Sequence, residues 1–433
     1  MERIWTTALP QHTGQRVRLA GWLHRLRNLS KVSFLIIRDA KGLAQVVIED
    51  SELAGRIANL PHETVLAIEG EVVAVPQAPG GVEIHQPSLE ILATPAVPPP
   101  FDLFRPAINA HLPTLLDHAA LTLRHPRHRA IFEISAASME GFRATLRDLD
   151  FVEIQTPKIV ESATEGGANV FELDYFGRPA YLAQSPQFYK QTMVGVFERV
   201  FEVGPVFRAE PHDTPRHINE YVSLDAEMGF ISDHTEVMAV LARTLRGMLA
   251  NIAEKAGKAL EVLRLELPVV PATIPALHFT EAQELILRET GEDIRHEPDL
   301  APAHERWLGN WARQEFNSEF LFVVGYPTWK RPFYTHSDPA HPGYSRGFDL
   351  LFRGLELVTG GQRLHHYEDY LAALSQRGLD PHPFESYLEA FKYGMPPHGG
   401  FAIGLERWVA RLLEAANIRE TTLFPRDINR LSP

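Results

Sequence analysis

Five apolar, β-branched runs crowd the start of this chain, and a cluster of prolines ends them. The runs are QRVRLAGWLH, KVSFLIIRD, LAQVVIED, ETVLAIEGEVVAV and GVEIHQPSLEIL, all within residues 14–93, with Gly, Asp, Asn or Pro between them. Then comes TPAVPPPFD, residues 94–102. Consecutive prolines cannot continue a sheet and favour a semi-rigid, extended spacer, so this stretch marks a domain boundary.

Five strands in about 80 residues, with one helix-compatible piece at SELAGRIANL, match the five-stranded OB barrel, which commonly binds oligonucleotides. A small SH3-like barrel fits the same pattern. Charge bears on the choice of ligand. The whole chain of 433 residues has a net charge of −13, which argues against general nucleic-acid affinity, because phosphate binding runs on Lys and Arg. Residues 1–40, however, carry seven Lys and Arg against two acids. A local basic surface on an acidic chain points to a nucleic-acid contact confined to one end. There is no cysteine, which excludes disulfides and thiolate metal sites and fits a reducing compartment. MERIWTTALPQH has no apolar core of a signal peptide, and no stretch approaches a membrane span. A cytoplasmic protein without membrane association is expected.

From about residue 126 the period changes. RHRAIFEISAASMEGFRATLRDLD has Ile131, Ile134, Phe142, Leu146 and Leu149 at helical spacings. FVEIQTPKIV follows as a strand broken by Pro157, which belongs at a sheet edge or strand end. EVMAVLARTLRGMLANIAEKAG is a long helix, and EFLFVVGYP, RGFDLLFRGLELVTGG and GGFAIGL are later strands, the last running into the helix ERWVARLLEAAN. Strands far apart in sequence with long helical insertions predict an α+β domain on a mixed or antiparallel sheet.

Three stretches carry chemistry. The first is the helix and strand ending at Pro157. The second is FEVGPVFRAE, where Arg208 and Glu210 close an apolar strand, with the loop PHDTPRHINEY and the strand VSLDAEMGF. The third is GGFAIGLER, glycines ending on Arg407 at the first turn of a helix. In this order they resemble motifs 1, 2 and 3 of the class II aminoacyl-tRNA synthetases, and the chain is identified as a member of the compact archaeal type of aspartyl-tRNA synthetase. The resemblance runs from the barrel to the final TTLFPRDINRLSP. It implies an antiparallel catalytic sheet over residues 126–433, with motif 1 at about 131–157, motif 2 at about 201–230 and motif 3 at about 399–413. An OB-fold anticodon domain over 1–97 and a hinge over 98–125 complete the expected organisation.

The chemistry suits those residues. In adenylate formation a carboxylate attacks the α-phosphate of ATP, and both reactants are anions. The site must therefore supply positioning and positive charge rather than a strong base, and arginine offers a planar fork with a permanent charge. The resemblance assigns Arg208 to the α-phosphate and substrate carboxylate, Glu210 to the adenine amino group, and Arg407 to the γ-phosphate and one adenine face, with Tyr221 on the other. Arg216 and His217 would reach the outer phosphates, and Ile218, Gly404, Leu405 and Glu406 complete the implied ATP set. Magnesium, a hard cation that prefers oxygen and bridges phosphates, is implied at Glu356 and Thr359, which would also border the aspartate; relatives usually have Ser at the latter. Ala402 stands where many relatives have Gly. The HHYED cluster at 365–369 reads as structural, clustered polar residues at a helix start being ordinary.

A pocket for an acidic side chain needs fixed cations, because an unpaired buried carboxylate is costly. Lys190 in QSPQFYKQ and Arg363 in GGQRLHHY match the residues that grip the aspartate β-carboxylate. Gln187 and Glu165 would bind the α-amino group, with Ser185 nearby. The lysine–arginine pair argues against an asparaginyl enzyme, which would share the architecture. A non-tRNA, asparagine-forming paralogue would have no use for an anticodon barrel, and a pure oligonucleotide binder would leave the ATP motifs unexplained.

In the barrel, the resemblance places Phe34 under the middle anticodon base, Gln45 at its edge and Arg27 on the backbone. Stacking plus edge contacts is how unpaired bases are usually read. Members that charge only tRNA(Asp) have Trp where this chain has His24 and Lys where it has Pro79, so the chain resembles the non-discriminating branch that aspartylates tRNA(Asp) and tRNA(Asn). An amidotransferase acting on aspartyl-tRNA(Asn) is then implied, as is a homodimer with Pro157 at its interface.

Overall fold

The computed structural model describes residues 1–161 and 169–433, in two compact units, Met1–His125 and Pro126–Pro433. The first contains β1 (Arg16–Asn28), β2 (Ser33–Arg38), β3 (Leu43–Ile48), α1 (Ser51–Ile57), β4 (Val65–Ala74), β5 (Val82–Ala93), α2 (Leu112–Asp117) and α3 (Ala119–Thr122). Its strands close into a barrel in the order β1-β2-β3-β5-β4. Closure depends on β1, whose register shifts between Leu23 and Arg25. Its first half pairs with β4, Trp22 opposite Val65, and its second half with β2, Arg27 opposite Phe34. Alternate residues turn inward, so Leu19, Leu23, Leu35, Ile37, Val46 and Ile68 fill the barrel.

Residues 98–125, expected as a hinge, group with the barrel instead. Arg124 Nη1 reaches Glu63 Oε2 at 3.1 Å, His62 meets the Phe104 ring edge-on at 5.1 Å, and His125 Nε2 lies 2.9 Å from the Arg105 carbonyl. Prolines stiffen the segment, but its other side chains supply anchors that composition does not reveal.

The second unit begins with α4 (Pro126–Arg147), β6 (Val152–Glu153), β7 (Ile159–Val160), β8 (Glu172–Tyr175), β9 (Arg178–Leu182), α5 (Gln187–Phe197), β10 (Arg199–Phe207), β11 (Glu220–Gly229), α6 (His234–Lys255) and α7 (Gly257–Leu263). It continues with β12 (Ala276–His278), α8 (Phe279–Thr290), α9 (Pro302–Phe316), β13 (Phe320–Val324), β14 (Gly347–Phe352), β15 (Leu355–Gln362), α10 (Tyr367–Gln376), α11 (Glu385–Lys392), β16 (His398–Gly404) and α12 (Leu405–Leu413). Eight strands form one sheet in the order β12-β13-β14-β15-β16-β11-β10-β6. All pairs are antiparallel except β12–β13 and β10–β6. FVEIQTPKIV is two short strands in different sheets, β6 and β7, parted around Pro157. RGFDLLFRGLELVTGG is a hairpin that turns over Arg353 and Gly354, both at positive φ.

The sheet's two faces differ by the strand period. Phe201 and Val203 of β10, Leu224, Ala226 and Met228 of β11, and Phe401 and Ile403 of β16 pack with α4, α6 and α12. The intervening residues of the central strands, among them Ser223, Asp225, Glu227, Gly400, Ala402 and Gly404, take the opposite face. The site lies there.

Candidate active site

Small residues on β16 make room for it. Gly400, Ala402 and Gly404 stand opposite Glu227, Asp225 and Ser223 of β11, leaving a cavity of about 420 Å³ above the sheet. The cavity gathers Ser185, Gln187, Lys190, Arg208, Glu210, Arg216, His217, Ile218, Tyr221, Glu356, Thr359, Arg363, Gly404, Glu406 and Arg407. Residues spread over more than half the sequence thus meet at one place. Leu405 does not join them, because its side chain is buried in the core below. Glu165 lies outside the described residues. Pro157 is exposed and away from the cavity.

At the inner end, Lys190 is 1 % exposed and Arg363 is buried. Lys190 Nζ lies 2.9 Å from Asp225 Oδ1 and 3.3 Å from Glu227 Oε2, and Arg363 Nε donates to Glu227 Oε1 at 3.0 Å. Glu227, 0 % exposed, therefore sits between the two cations. Burial pushes its carboxyl upward, but Arg363 and then Lys190 outweigh that and hold it below its ordinary range. Glycine at 400 is required for this, since a Cβ there would lie 2.1 Å from Glu227 Oε2. Sequence reading found the two cations and missed their counter-charges. The signal was present in VSLDAEM, where three polar residues alternate on an otherwise buried strand.

Behind Gln187 lies a buried polar network. Its Nε2 donates to Gln191 Oε1 at 2.9 Å, which also accepts from Tyr387 Oη at 3.0 Å. Gln191 Nε2 is 3.0 Å from His398 Nε2. His398 Nδ1 lies 2.9 Å from the Pro396 carbonyl, and burial lowers this histidine to about 4. The ring is therefore neutral at physiological pH, with Nδ1 as donor and Nε2 as acceptor.

At the outer end, Arg208 Nη1 and Glu210 Oε1 stand 3.6 Å apart, just beyond the last residue of β10. Asn219 ties the intervening loop, its Nδ2 donating to the Arg208 carbonyl at 2.6 Å. The chain's last segment holds the loop from outside: Arg419 Nη2 pairs with Asp213 at 2.7 Å, and Asn219 N donates to the Arg426 carbonyl at 2.7 Å. Sequence gave no sign of Arg419, because its partner is 206 residues away. Tyr221 and Arg407 flank Gly404, whose missing Cβ would lie 3.8 Å from the tyrosine ring. Tyr221, Gly404 and Arg407 all line the cavity and form a slot at its outer end. Glu406 lines the cavity, but its carboxyl accepts from Val222 N at 3.1 Å, and burial raises it to about 7.

Hard oxygen donors sit beside the slot. Thr359 Oγ1 donates to Glu356 Oε1 at 2.9 Å. Asp349, across the ladder from Thr359, pairs with Arg331 at 2.7 Å, while its Oδ1 is buried with no hydrogen-bond partner among the described residues. Burial raises Asp349 to about 6 against the pull of Arg331. No three His, Asp or Glu groups among the described residues stand close enough to hold a metal by themselves. That donor set fits magnesium, which takes one or two carboxylates and fills the rest of its shell from phosphates and water. The HHYED residues belong to no such group either.

In the barrel, Phe34 and Gln45 are half-buried and Arg27 is exposed. Gln45 Nε2 donates to Glu83 Oε1 at 2.7 Å. Pro79 is exposed at the start of a short turn. His24, which stands where discriminating members are expected to have Trp, is 8 % exposed. Its Nδ1 lies 3.1 Å from Arg38 Nη1, which forms a two-pronged pair with Glu63 at 2.8 Å in each arm. Burial, then Arg38, lowers His24 to about 4. His24 stands at the β1 register shift between Leu23 and Arg25, the kind of irregularity that re-aims a side chain.

A barrel joined to a largely antiparallel sheet, with an arginine at a motif 2 strand end and an arginine opening a helix after a glycine strand, both lining one cavity, defines an ATP-dependent class II ligase. The model of tRNA synthetases class II (D, K and N) matches residues 111–428, and that of the OB-fold nucleic acid binding domain matches residues 17–92. The chain belongs to the class II tRNA synthetases of that D, K and N group and uses ATP as substrate. It is 46% identical over 431 residues to an aspartate--tRNA(Asp/Asn) ligase of Thermus thermophilus, covering 100% of both chains. A Deinococcus radiodurans protein of the same name is 44% identical, with 100% of this chain and 99% of that one covered. Among solved structures, an asparaginyl-tRNA synthetase from Pyrococcus horikoshii complexed with asparaginyl-adenylate superposes with a TM-score of 0.93 at 33% identity, covering 100% of both. No described helix is long and apolar enough to cross a membrane.

Proposed function

We propose that the chain joins L-aspartate to tRNA through an aspartyl-adenylate and charges both tRNA(Asp) and tRNA(Asn). The observation that carries this reading is the pair Lys190 and Arg363, buried in the same cavity as Arg208, Tyr221 and Arg407. Two cations held in place by the buried carboxylates Asp225 and Glu227 present charged donors to the cavity, which suit an anionic side chain better than the asparagine amide, whose own N–H groups they would oppose. The full-length relatives named for aspartate and both tRNAs support the same reading.

In the first half-reaction an aspartate α-carboxylate oxygen bonds to the α-phosphorus of ATP, and the bond to the bridging β-phosphate oxygen breaks to release pyrophosphate. Arg208 orients carboxylate and phosphate together and stabilises the charge that builds between them. Tyr221 and Arg407 sandwich the adenine, Glu210 accepts from its amino group, and Arg216 and His217 meet the outer phosphates. Gln187 and Glu165 take the α-amino group, beside Ser185. In the second half-reaction a hydroxyl of the terminal adenosine attacks the carbonyl carbon of the mixed anhydride and AMP leaves. Glu356 and Thr359 would hold magnesium, which neutralises phosphate charge when bound.

Phe34, Gln45 and Arg27 form the anticodon surface, and the absence of Trp and Lys at His24 and Pro79 relaxes the choice of the third base. The molecule works in the cytoplasm as a homodimer through α4, β6 and Pro157, where Val152 and Ile159 expose apolar surface. An amidotransferase converts the aspartyl-tRNA(Asn). The deciding experiment is charging of tRNA(Asp) and tRNA(Asn) transcripts with labelled aspartate, and with asparagine as control. Comparable aspartate loading on both is expected. Loading of tRNA(Asp) alone would refute the relaxed choice, and loading with asparagine would refute the amino-acid assignment.

A further inference from the structure

The segment between motifs 2 and 3 includes α9, for which the chemistry above has no use. Yet α9 touches the hairpin that carries Glu356 and Thr359 at two points. Three residues apart, Glu356 and Thr359 would face opposite sides of a regular strand. They share the cavity because the ladder slips: Leu350 pairs with Val358 and Leu351 with Glu356, leaving Leu357 unmatched. Such a bulge re-aims side chains, and it also takes the local backbone out of the regular ladder.

The backbone N–H of Glu356 is held from α9, by Glu305 Oε2 at 3.0 Å. Its carbonyl accepts from Arg407 Nη1 at 3.0 Å, so the residue is fixed at both ends. One helical turn beyond Glu305, on the same face of α9, Gly309 lies against the hairpin turn. A Cβ there would stand 2.5 Å from Gly354 Cα, and one on Gly354 would stand 2.8 Å from Arg306 Cα. The two glycines let helix and turn approach closely enough for Glu305 to reach the bulge.

We propose that Glu305 is a positioning residue for the Glu356 carboxylate, and that Gly309 sets the distance from which it acts. The proposal rests on the reading of Glu356 as a magnesium-holding residue. Without the Glu305 acceptor, a part-buried N–H loses its partner and the bulge relaxes to find another.

The test is calorimetric titration of the full-length protein with ATP, once with magnesium and once with EDTA, on variants whose fold is checked by circular dichroism. Glu356→Gln is expected to abolish the tightening that magnesium gives. Glu305→Ala should cut that tightening by about tenfold, as loss of a residue supporting a metal ligand commonly does, with the EDTA affinity unchanged. Gly309→Ala should act in the same direction. Glu305→Gln, which keeps an acceptor oxygen, should restore most of it. If Glu356→Gln keeps the full tightening, the metal reading itself is wrong. If Glu356→Gln loses it while Glu305→Ala and Gly309→Ala keep it, the positioning role is overturned. Equal weakening in both buffers also overturns it, since that marks a general structural defect. Should Glu305→Ala not fold, Gly309→Ala decides.

Discussion

Replacing Lys190 by methionine removes a buried charge while keeping most of the side-chain volume. In the wild type its Nζ has Asp225 at 2.9 Å, Glu227 at 3.3 Å and the Phe401 carbonyl at 3.3 Å. In the variant Glu227 keeps Arg363, and among the described residues Asp225 keeps the Ser223 hydroxyl alone. Two effects follow. Taking one partner from a buried pair costs stability, by roughly 3 kcal/mol at the low end of such cases. The substrate carboxylate loses a charge-assisted hydrogen bond in a site shielded from water, worth up to about 3 kcal/mol. At 1.4 kcal/mol per tenfold, that is about a 100-fold fall in kcat/KM for aspartate. Aspartate-dependent ATP–pyrophosphate exchange measures it, and the KM for ATP should stay near wild type because Lys190 is remote from the adenine slot. Adding Asp225→Asn separates the effects: the double variant should regain thermal stability, with no orphaned carboxylate, and remain inactive. A Lys190→Met enzyme with native melting and less than about a threefold loss in kcat/KM would refute the reasoning.

Three further outcomes are expected. Tyr221→Ala should raise the KM for ATP about tenfold, as loss of one stacking face costs on the order of 1.5 kcal/mol, while the aspartate KM holds in the same exchange assay. Glu406 has a folded pKa near 7 against an ordinary 4.5, so its ionisation opposes folding: stability is greatest below the ordinary value and falls as pH rises toward 7. Glu406→Gln should therefore gain on wild type in unfolding free energy between pH 5 and pH 8, by up to about 3 kcal/mol, followed as denaturant unfolding against pH; an identical pH profile in the two proteins would contradict this. Combining His24→Trp with Pro79→Lys should depress charging of tRNA(Asn) relative to tRNA(Asp) by about tenfold or more, the size of one base-pair preference, and an unchanged ratio would remove both residues from anticodon choice. Because His24 is packed against Arg38, the tryptophan should also lower barrel stability by about 1–3 kcal/mol through overpacking.

What the sequence by itself determined is whatever is written locally. Strands of the barrel show as β-branched runs between turn residues, and α4 and α6 show as helical spacing of apolar side chains. Lys190, Arg208, Arg363 and Arg407 stand out because each lies in a short motif whose spacing survives without the fold. Other features depend on packing between distant segments and are not written locally. The grouping of 98–125 with the barrel rests on contacts such as Arg124 with Glu63. The burial of His24 depends on a slipped register beside Arg38 and Glu63. The tertiary structure alone decided that Asp225 and Glu227 pair with the buried cations Lys190 and Arg363, that Gly400 leaves the space for it, and that Glu305 reaches the bulge at Glu356. Hydrophobic period is a property of neighbours in the chain and can be read from them. A buried charge is tolerable only beside its partner, and which residue becomes that partner is settled when strands and helices far apart in sequence close on one another.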